Sequence, residues 1–233
     1  MKIKFIQKTT LIDYPDKVAC TLFVHGCNFK CGFCHNPELV LVEGSRDLSK
    51  EEVLSFLDSR KNYLDGVCIT GGEPLMNIDS DLLRKAKSMG YLIKIDTNGS
   101  FPNVLQGLVS EGLVDYVAMD VKIDKENYEK ITNAYADIGK LERSMKIIST
   151  LPDYEFRTTI LECFHNEENM TRMMEWITSV IGSRIKRFSL QGFKNKGKFI
   201  NKNFVNEKDT SLEYLEKLKK VIEPYAEIVE VKF

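Results

Sequence analysis

Short apolar runs alternate with helical patterns along most of this chain, and that alternation limits the fold more than any other feature. The runs at 18–24, 66–70, 91–95, 115–119, 154–161 and 187–190 are rich in β-branched residues and apolar at most positions, as strands covered on both faces must be. The helices between them have legible ends. Ser49 and Glu52 have the spacing of a capping box, with Leu48 and Val53 at the staple positions around it. Asp79 is placed to cap a helix that Gly90 closes. Pro102 fits the first turn of a helix closed by Gly112, and a helix near 141–150 stops before Pro152. Asn166 opens another that Gly182 ends, and Thr210 with Glu213 has the spacing of a second capping box. Six βα units predict a parallel sheet with right-handed crossovers, fewer than the eight units of a closed barrel. The expected class is α/β, as a partial barrel or a strongly curved open sheet. An extended segment precedes Pro15, and a last strand is expected at 227–232. With no repeat or linker, one domain is expected over 1–233: an N-terminal extension at 1–17, a βα core at 18–192, and a C-terminal helix and strand at 193–233.

Charge narrows the partners. A formal net charge of −1 argues against a general electrostatic grip on nucleic acid or an anionic membrane. No apolar run approaches the ~20 residues needed to cross a bilayer. Residues 1–10 lack the apolar stretch and cleavage site of a signal peptide, so a cytoplasmic location is expected. There the six cysteines are expected as free thiols or metal ligands rather than disulfides. Cys20 and Cys68 lie in strand runs and read as small core residues, while Cys163 stands apart.

In parallel α/β folds, chemistry gathers at the carboxyl ends of strands. The unusual residues of this chain fall there. The first run leads into His25, Gly26 and Cys27, the second into Gly71-Gly72-Glu73-Pro74, and the third into Asp96-Thr97-Asn98-Gly99. The fourth leads into Met119-Asp120-Val121-Lys122, and the sixth into Gln191, Gly192 and Phe193. Arg157 lies within the fifth run, either as a contact inside the site or as a buried pair-former. Read singly, Asp96 could cap a turn, Asp120 and Lys122 could be a simple ion pair, His25 and His35 could shape loops, and His165 is expected at a helix start. Met170, Met173 and Met174 are core-face residues, and the basic stretch 194–202 is a solvated loop.

Cys27, Cys31 and Cys34 place three thiolates on one loop. Thiolates suit iron–sulfur clusters, and three of them leave one iron of a cubane without a protein ligand. The alternative is zinc, with His35 or His25 as fourth ligand, although structural zinc usually draws on two spaced pairs.

The spacing Cys-x-x-x-Cys-x-aromatic-Cys, with Phe33 as the aromatic, resembles the signature of the radical S-adenosylmethionine (SAM) superfamily, and Gly71-Gly72-Glu73-Pro74 is similar to its second motif. The resemblance implies a partial (β/α)6 barrel, a [4Fe–4S] cluster on Cys27, Cys31 and Cys34, and SAM as cosubstrate. Within the superfamily the chain looks like a glycyl-radical-enzyme activating enzyme. The stretches 7–15, 26–30 and 34–39 most resemble the type acting on anaerobic ribonucleoside-triphosphate reductase. Asp96-Thr97-Asn98-Gly99 and Met119 through Lys122 resemble the type acting on pyruvate formate-lyase.

Several roles follow from that resemblance alone. Gly71, Gly72 and Glu73 would receive the methionyl group, Lys122 its carboxylate, and the backbone at Phe33, Cys34 and His35 the adenine. Asp96, Thr97, Met119 and Asp120 would hold a monovalent cation, with Asn98 and Arg157 at the cofactor site. One position departs from the pattern: where the family has a histidine near the adenosine, this chain has Phe193, with Gln191 beside it, and an aromatic face there could serve by stacking. The implied activity is reductive cleavage of SAM to a 5′-deoxyadenosyl radical, which takes a hydrogen atom from a glycine of a partner protein. Flavodoxin or ferredoxin would supply the electron. A radical SAM enzyme acting on a small molecule, such as a 7-deazaguanine precursor, is the other reading, and a non-catalytic metal-binding module is a third.

Overall fold

The computed structural model describes residues 1–41 and 46–233. Eight strands form one sheet whose order across the sheet is their order in the chain. The α/β class with a mostly parallel sheet is the one the alternation predicts. The chain packs as two compact units, each with its own core.

The first unit comprises Met1–Asn28, Asn36–Thr97 and Asn103–Val117. Strand β1 (Ile3–Thr10) pairs antiparallel with β2 (Ala19–Val24), which runs parallel to β3 (Gly66–Gly71), itself parallel to β4 (Leu92–Thr97). The expected extended segment before Pro15 is thus a paired strand. Around these strands lie α1 (Pro37–Leu41), α2 (Lys50–Arg60), α3 (Ser80–Ser88) and α4 (Pro102–Ser110). The predicted cap of α2 forms in full: Ser49 Oγ accepts from Glu52 N at 3.2 Å, and Ser49 N donates to Glu52 Oε2 at 2.8 Å. Asp79 caps α3 through Leu82 N at 3.0 Å, and Gly90 follows in the left-handed region. Leu22, Ile69 and Ile95 are buried, as strands covered on both faces require, and Leu83 of α3 is buried with them. Cys20 and Cys68 are buried with them.

The second unit comprises Phe29–His35, Asn98–Pro102 and Ala118–Phe233. It takes up β5 (Tyr116–Asp120) from Ala118 onward and contains β6 (Tyr154–Ile160), β7 (Ile185–Gly192) and β8 (Ala226–Lys232). The last three run parallel to one another. Its helices are α5 (Tyr128–Thr132), α6 (Ile138–Ile148), α7 (Glu167–Ile181) and α8 (Leu212–Ile222). Asn166 and Asn169 exchange the two hydrogen bonds of a capping box at α7, and Gly182 ends it in the left-handed region. Met170, Met173 and Met174 are fully buried along that helix.

The expected cap of α8 is corrected. Ser211, not Thr210, caps it, accepting from Tyr214 N at 3.2 Å. Thr210 is buried instead, where its hydroxyl donates to Ile160 O at 2.6 Å and accepts from Phe193 N at 3.2 Å. A hydroxyl that closes two backbone groups in the interior is better placed there than at a solvated helix end.

Candidate cofactor site

The first unit carries the start of the cysteine loop and the glycine turn. Beyond β2, Gly26 adopts φ +98°, and its N–H donates to Leu39 O at 2.8 Å. Cys27 follows, half-buried. Beyond β3, Gly71 adopts φ +114°, a conformation side chains rarely tolerate. The turn is laced to the end of β2 by Gly72 N to Val24 O at 2.9 Å and Glu73 N to Gly26 O at 2.7 Å. That lacing leaves no room for side chains. A Cβ on Gly71 would lie 2.6 Å from Val24 N and O, and one on Gly72 only 2.1 Å from Gly26 O. Glu73 is 2% exposed; its Oε1 accepts from Leu75 N at 3.1 Å and from Thr97 Oγ1 at 2.7 Å. Its carboxylate therefore braces the turn against the end of β4.

Strand β4 also carries a residue that the sequence reading passed over. Lys94 is 1% exposed, and its ammonium pairs with Asp96 Oδ1. Positions two apart on a strand share a face, which is why the two meet. Cys68 Sγ lies 3.9 Å from Lys94 Nζ, and the Tyr116 ring centre 5.8 Å away. The available signal was a lone charge inside an otherwise apolar run.

The second unit carries the rest of the cysteine loop. Cys34 N donates to Cys31 O at 3.0 Å, closing a turn. Lys30 N donates to Thr132 O and Asn201 N to Gly32 O, both at 3.0 Å. Cys31 is buried, and burial is the main cause that pushes its thiol up to about 11, with Lys122 opposing. No disulfide joins any of the six cysteines. Among the described residues no three His, Cys, Asp or Glu side chains are grouped so as to hold a metal ion.

An aromatic group surrounds this stretch. Phe33 is buried edge-on to Phe204, with centroids 6.2 Å apart. His35 stacks on Phe193 at 5.5 Å and meets Phe199 at 5.3 Å. Burial lowers the His35 pKa, a backbone hydrogen bond at Lys196 opposing, which favours a neutral imidazole. Phe193 is 1% exposed, so the ring stacked on it is this chain's own His35.

Charge is concentrated at the end of β5. Arg157 Nε on β6 donates to Asp120 Oδ1 at 2.6 Å, and Lys122 Nζ lies 3.1 Å from Asp120 Oδ2. Burial alone would raise the Asp120 pKa, but Arg157 and then Lys122 outweigh it and hold the carboxyl well below the usual carboxylate range. Burial would likewise lower Lys122, but Asp120 outweighs it and keeps the ammonium charged. Arg157, within β6, and Lys122, just beyond β5, thus both pair with Asp120. Tyr128 OH lies 3.4 Å from Lys122 N and from Asp120 O. His165, fully buried, accepts from Leu161 N at Nδ1 (3.1 Å), and its Nε2–H donates to Lys122 O at 2.8 Å. It fixes the backbone of Lys122, a role that spacing did not suggest. Asn98 shapes its own turn, Oδ1 accepting from Ser100 N at 2.9 Å. Met119 is buried, and a Cβ on Gly99 would lie 2.2 Å from its Cε.

No helix among the described residues is long and apolar enough to cross a membrane. The description of the Radical SAM superfamily matches residues 21–180. A Methanocaldococcus jannaschii protein named "Putative glycyl-radical enzyme activating enzyme MJ1227" is 35% identical over 172 residues, 71% of this chain and 70% of that protein. A Clostridium pasteurianum protein named pyruvate formate-lyase-activating enzyme is 32% identical over 138 residues, 56% of this chain and 57% of that protein. The crystal structure of a domain of pyruvate-formate lyase-activating enzyme from Bacteroides vulgatus has a TM-score of 0.55 and 17% identity, covering 70% of this chain and 98% of that one; this likeness is of fold.

Proposed function

The chain belongs to the radical SAM superfamily, of α/β partial-barrel class, and to its glycyl-radical-enzyme activating members; on that premise we propose that it installs a glycyl radical on a partner enzyme. The partner we favour is anaerobic ribonucleoside-triphosphate reductase, on the resemblance of the stretches around the cysteine loop. A pyruvate formate-lyase-type partner is the second reading, favoured by the Clostridium relative. The observation that carries the proposal is the turn at Gly71 and Gly72. It is hydrogen-bonded to Val24 and Gly26, next to Cys27, and packed so closely on their backbone that neither position admits a side chain. The turn is therefore bare backbone beside Cys27, which is what a ligand pressed against backbone requires.

Cys27, Cys31 and Cys34 would hold the [4Fe–4S] cluster, three thiols that leave one iron free for SAM. When bound, cluster and SAM supply the difficult chemistry: one electron enters, methionine leaves, and a hydrogen atom is taken from a glycine Cα. This chain's residues place and shield. Gly71 and Gly72 admit the methionyl group, and Glu73 keeps the turn rigid through Leu75 N and Thr97. Lys122 stays charged beside Asp120 and would meet the methionyl carboxylate, with Arg157 holding Asp120 from the other side. The backbone from Phe33 to His35 would lie against adenine, with Phe193 fixing the His35 ring. A cytoplasmic location, with flavodoxin or ferredoxin as electron donor, belongs to this reading. Neither nucleic acid nor membrane is a partner.

The test is electron paramagnetic resonance on the reduced, reconstituted enzyme mixed with SAM and the candidate reductase. A glycyl doublet on the reductase is expected. SAM turnover driven by small molecules, with no protein radical on either candidate partner, would overturn the activase reading.

A further inference from the structure

We infer that Lys94 is a built-in counter-cation for Asp96, standing in for the monovalent ion that the family resemblance led us to expect there. Two observations support this within the first unit. The Lys94 side chain is 2% exposed and that of Asp96 12%, and the two form an ion pair. An ammonium at that depth is stable only if it is paired, so the contact is obligatory for Lys94 rather than a surface convenience. Their spacing of two on β4 fixes them on one face, so the pair follows from the strand itself.

The expected ligands in the second unit are engaged as well. Asp120 already has two cationic partners, Arg157 and Lys122, and Met119 is buried under Gly99. A metal ion brought to Asp96 would meet the like charge of Lys94 at short range, in surroundings that screen it far less than water does. The carboxylate is therefore neutralised by the chain. Lys94 is a positioning residue in this account: it pairs with Asp96 and holds it in place without recruiting an ion. The consequence for cosubstrate binding rests on the proposed function, whereas ion occupancy does not.

The experiment uses the reconstituted holoenzyme in two ways. Thallium(I), a potassium mimic, is titrated by nuclear magnetic resonance; no saturable line broadening that potassium can displace is expected. SAM affinity is then measured by calorimetry in potassium chloride and in tetramethylammonium chloride at equal ionic strength. The wild type should agree between salts within about twofold, and Lys94→Met should bind about tenfold more weakly in tetramethylammonium and recover in potassium. That rescue is what a merely structural lysine would not show. Saturable thallium binding to the wild type, a potassium requirement in the wild type, or a folded Lys94→Met indifferent to the salt would each overturn the inference. If Lys94→Met does not fold, the wild-type thallium titration decides alone. Failure of SAM to bind in either salt would count against the proposed function and leave the thallium result standing.

Discussion

At the end of β3 the chain offers Gly71 and Gly72, which have no side chains; at the end of β5 it offers Asp120 and Lys122, both charged and both paired. Each segment leaves the carboxyl end of a strand, yet the two limit variation in different ways. The glycine turn is fixed by backbone contacts so close that one added carbon collides with a carbonyl. The charged segment is fixed by balance: Asp120 is satisfied from two sides, and His165 and Tyr128 hold the peptide groups beside it. The first should therefore fail on any added volume. The second should tolerate changes of shape better than the loss of a charge partner.

The sharpest way to break this contrast is Gly72→Ala. A Cβ only 2.1 Å from Gly26 O cannot be absorbed by rotating a side chain, so the turn must move. Displacement on that scale should cost about a hundredfold or more in SAM cleavage, read as 5′-deoxyadenosine release, with iron content unchanged. Cleavage near the wild-type rate would mean that the turn is not the cradle.

A smaller effect is expected at the charged segment. Arg157→Met leaves Asp120 with Lys122 alone and should cost roughly 2–3 kcal/mol of stability in urea melts. Adding Asp120→Asn should recover part of that, since the unbalanced carboxylate is then gone. Strict additivity of the two losses would deny the pair.

The smallest effect is in the pH profile of His165. Burial lowers its pKa from 6.5, so the folded chain keeps it neutral where the unfolded chain takes up a proton. Its contribution is intact above about 6.5 and is lost as pH falls below it, by up to about 1.4 kcal/mol per unit. His165→Gln should flatten that slope between pH 7 and 5.5. An unchanged slope would locate the acid sensitivity elsewhere.

Legibility in the sequence tracked the range of each interaction. Ser49, Asp79 and Asn166 were identified as caps because a cap and its target lie three residues apart. Thr210 misled because two adjacent hydroxyls compete for one helix start, and only the distant Ile160 carbonyl decides between them. Strand β7 runs longer than the expected run 187–190 because its parallel pairing with β8 extends from Ile185 opposite Ala226 to Gln191 opposite Lys232. The cysteines and the glycine turn were evident from residue type and spacing. The hold of Arg157 on Asp120 spans 37 residues, and that of His165 on the Lys122 carbonyl spans 43, with no local signature. Lys94 was visible as an oddity, but its partner was concealed by its being assigned a different task.

The order of strands across the sheet bears on how the molecule is made. Because strands adjacent in space are consecutive in the chain, β1, β2 and β3 have every pairing partner available once β4 has left the ribosome. Synthesis is slow beside local strand pairing, so hydrogen-bonding edges can be closed in the sequence in which they emerge. A nascent chain of this kind need not leave its earliest strands waiting for the last residues to arrive.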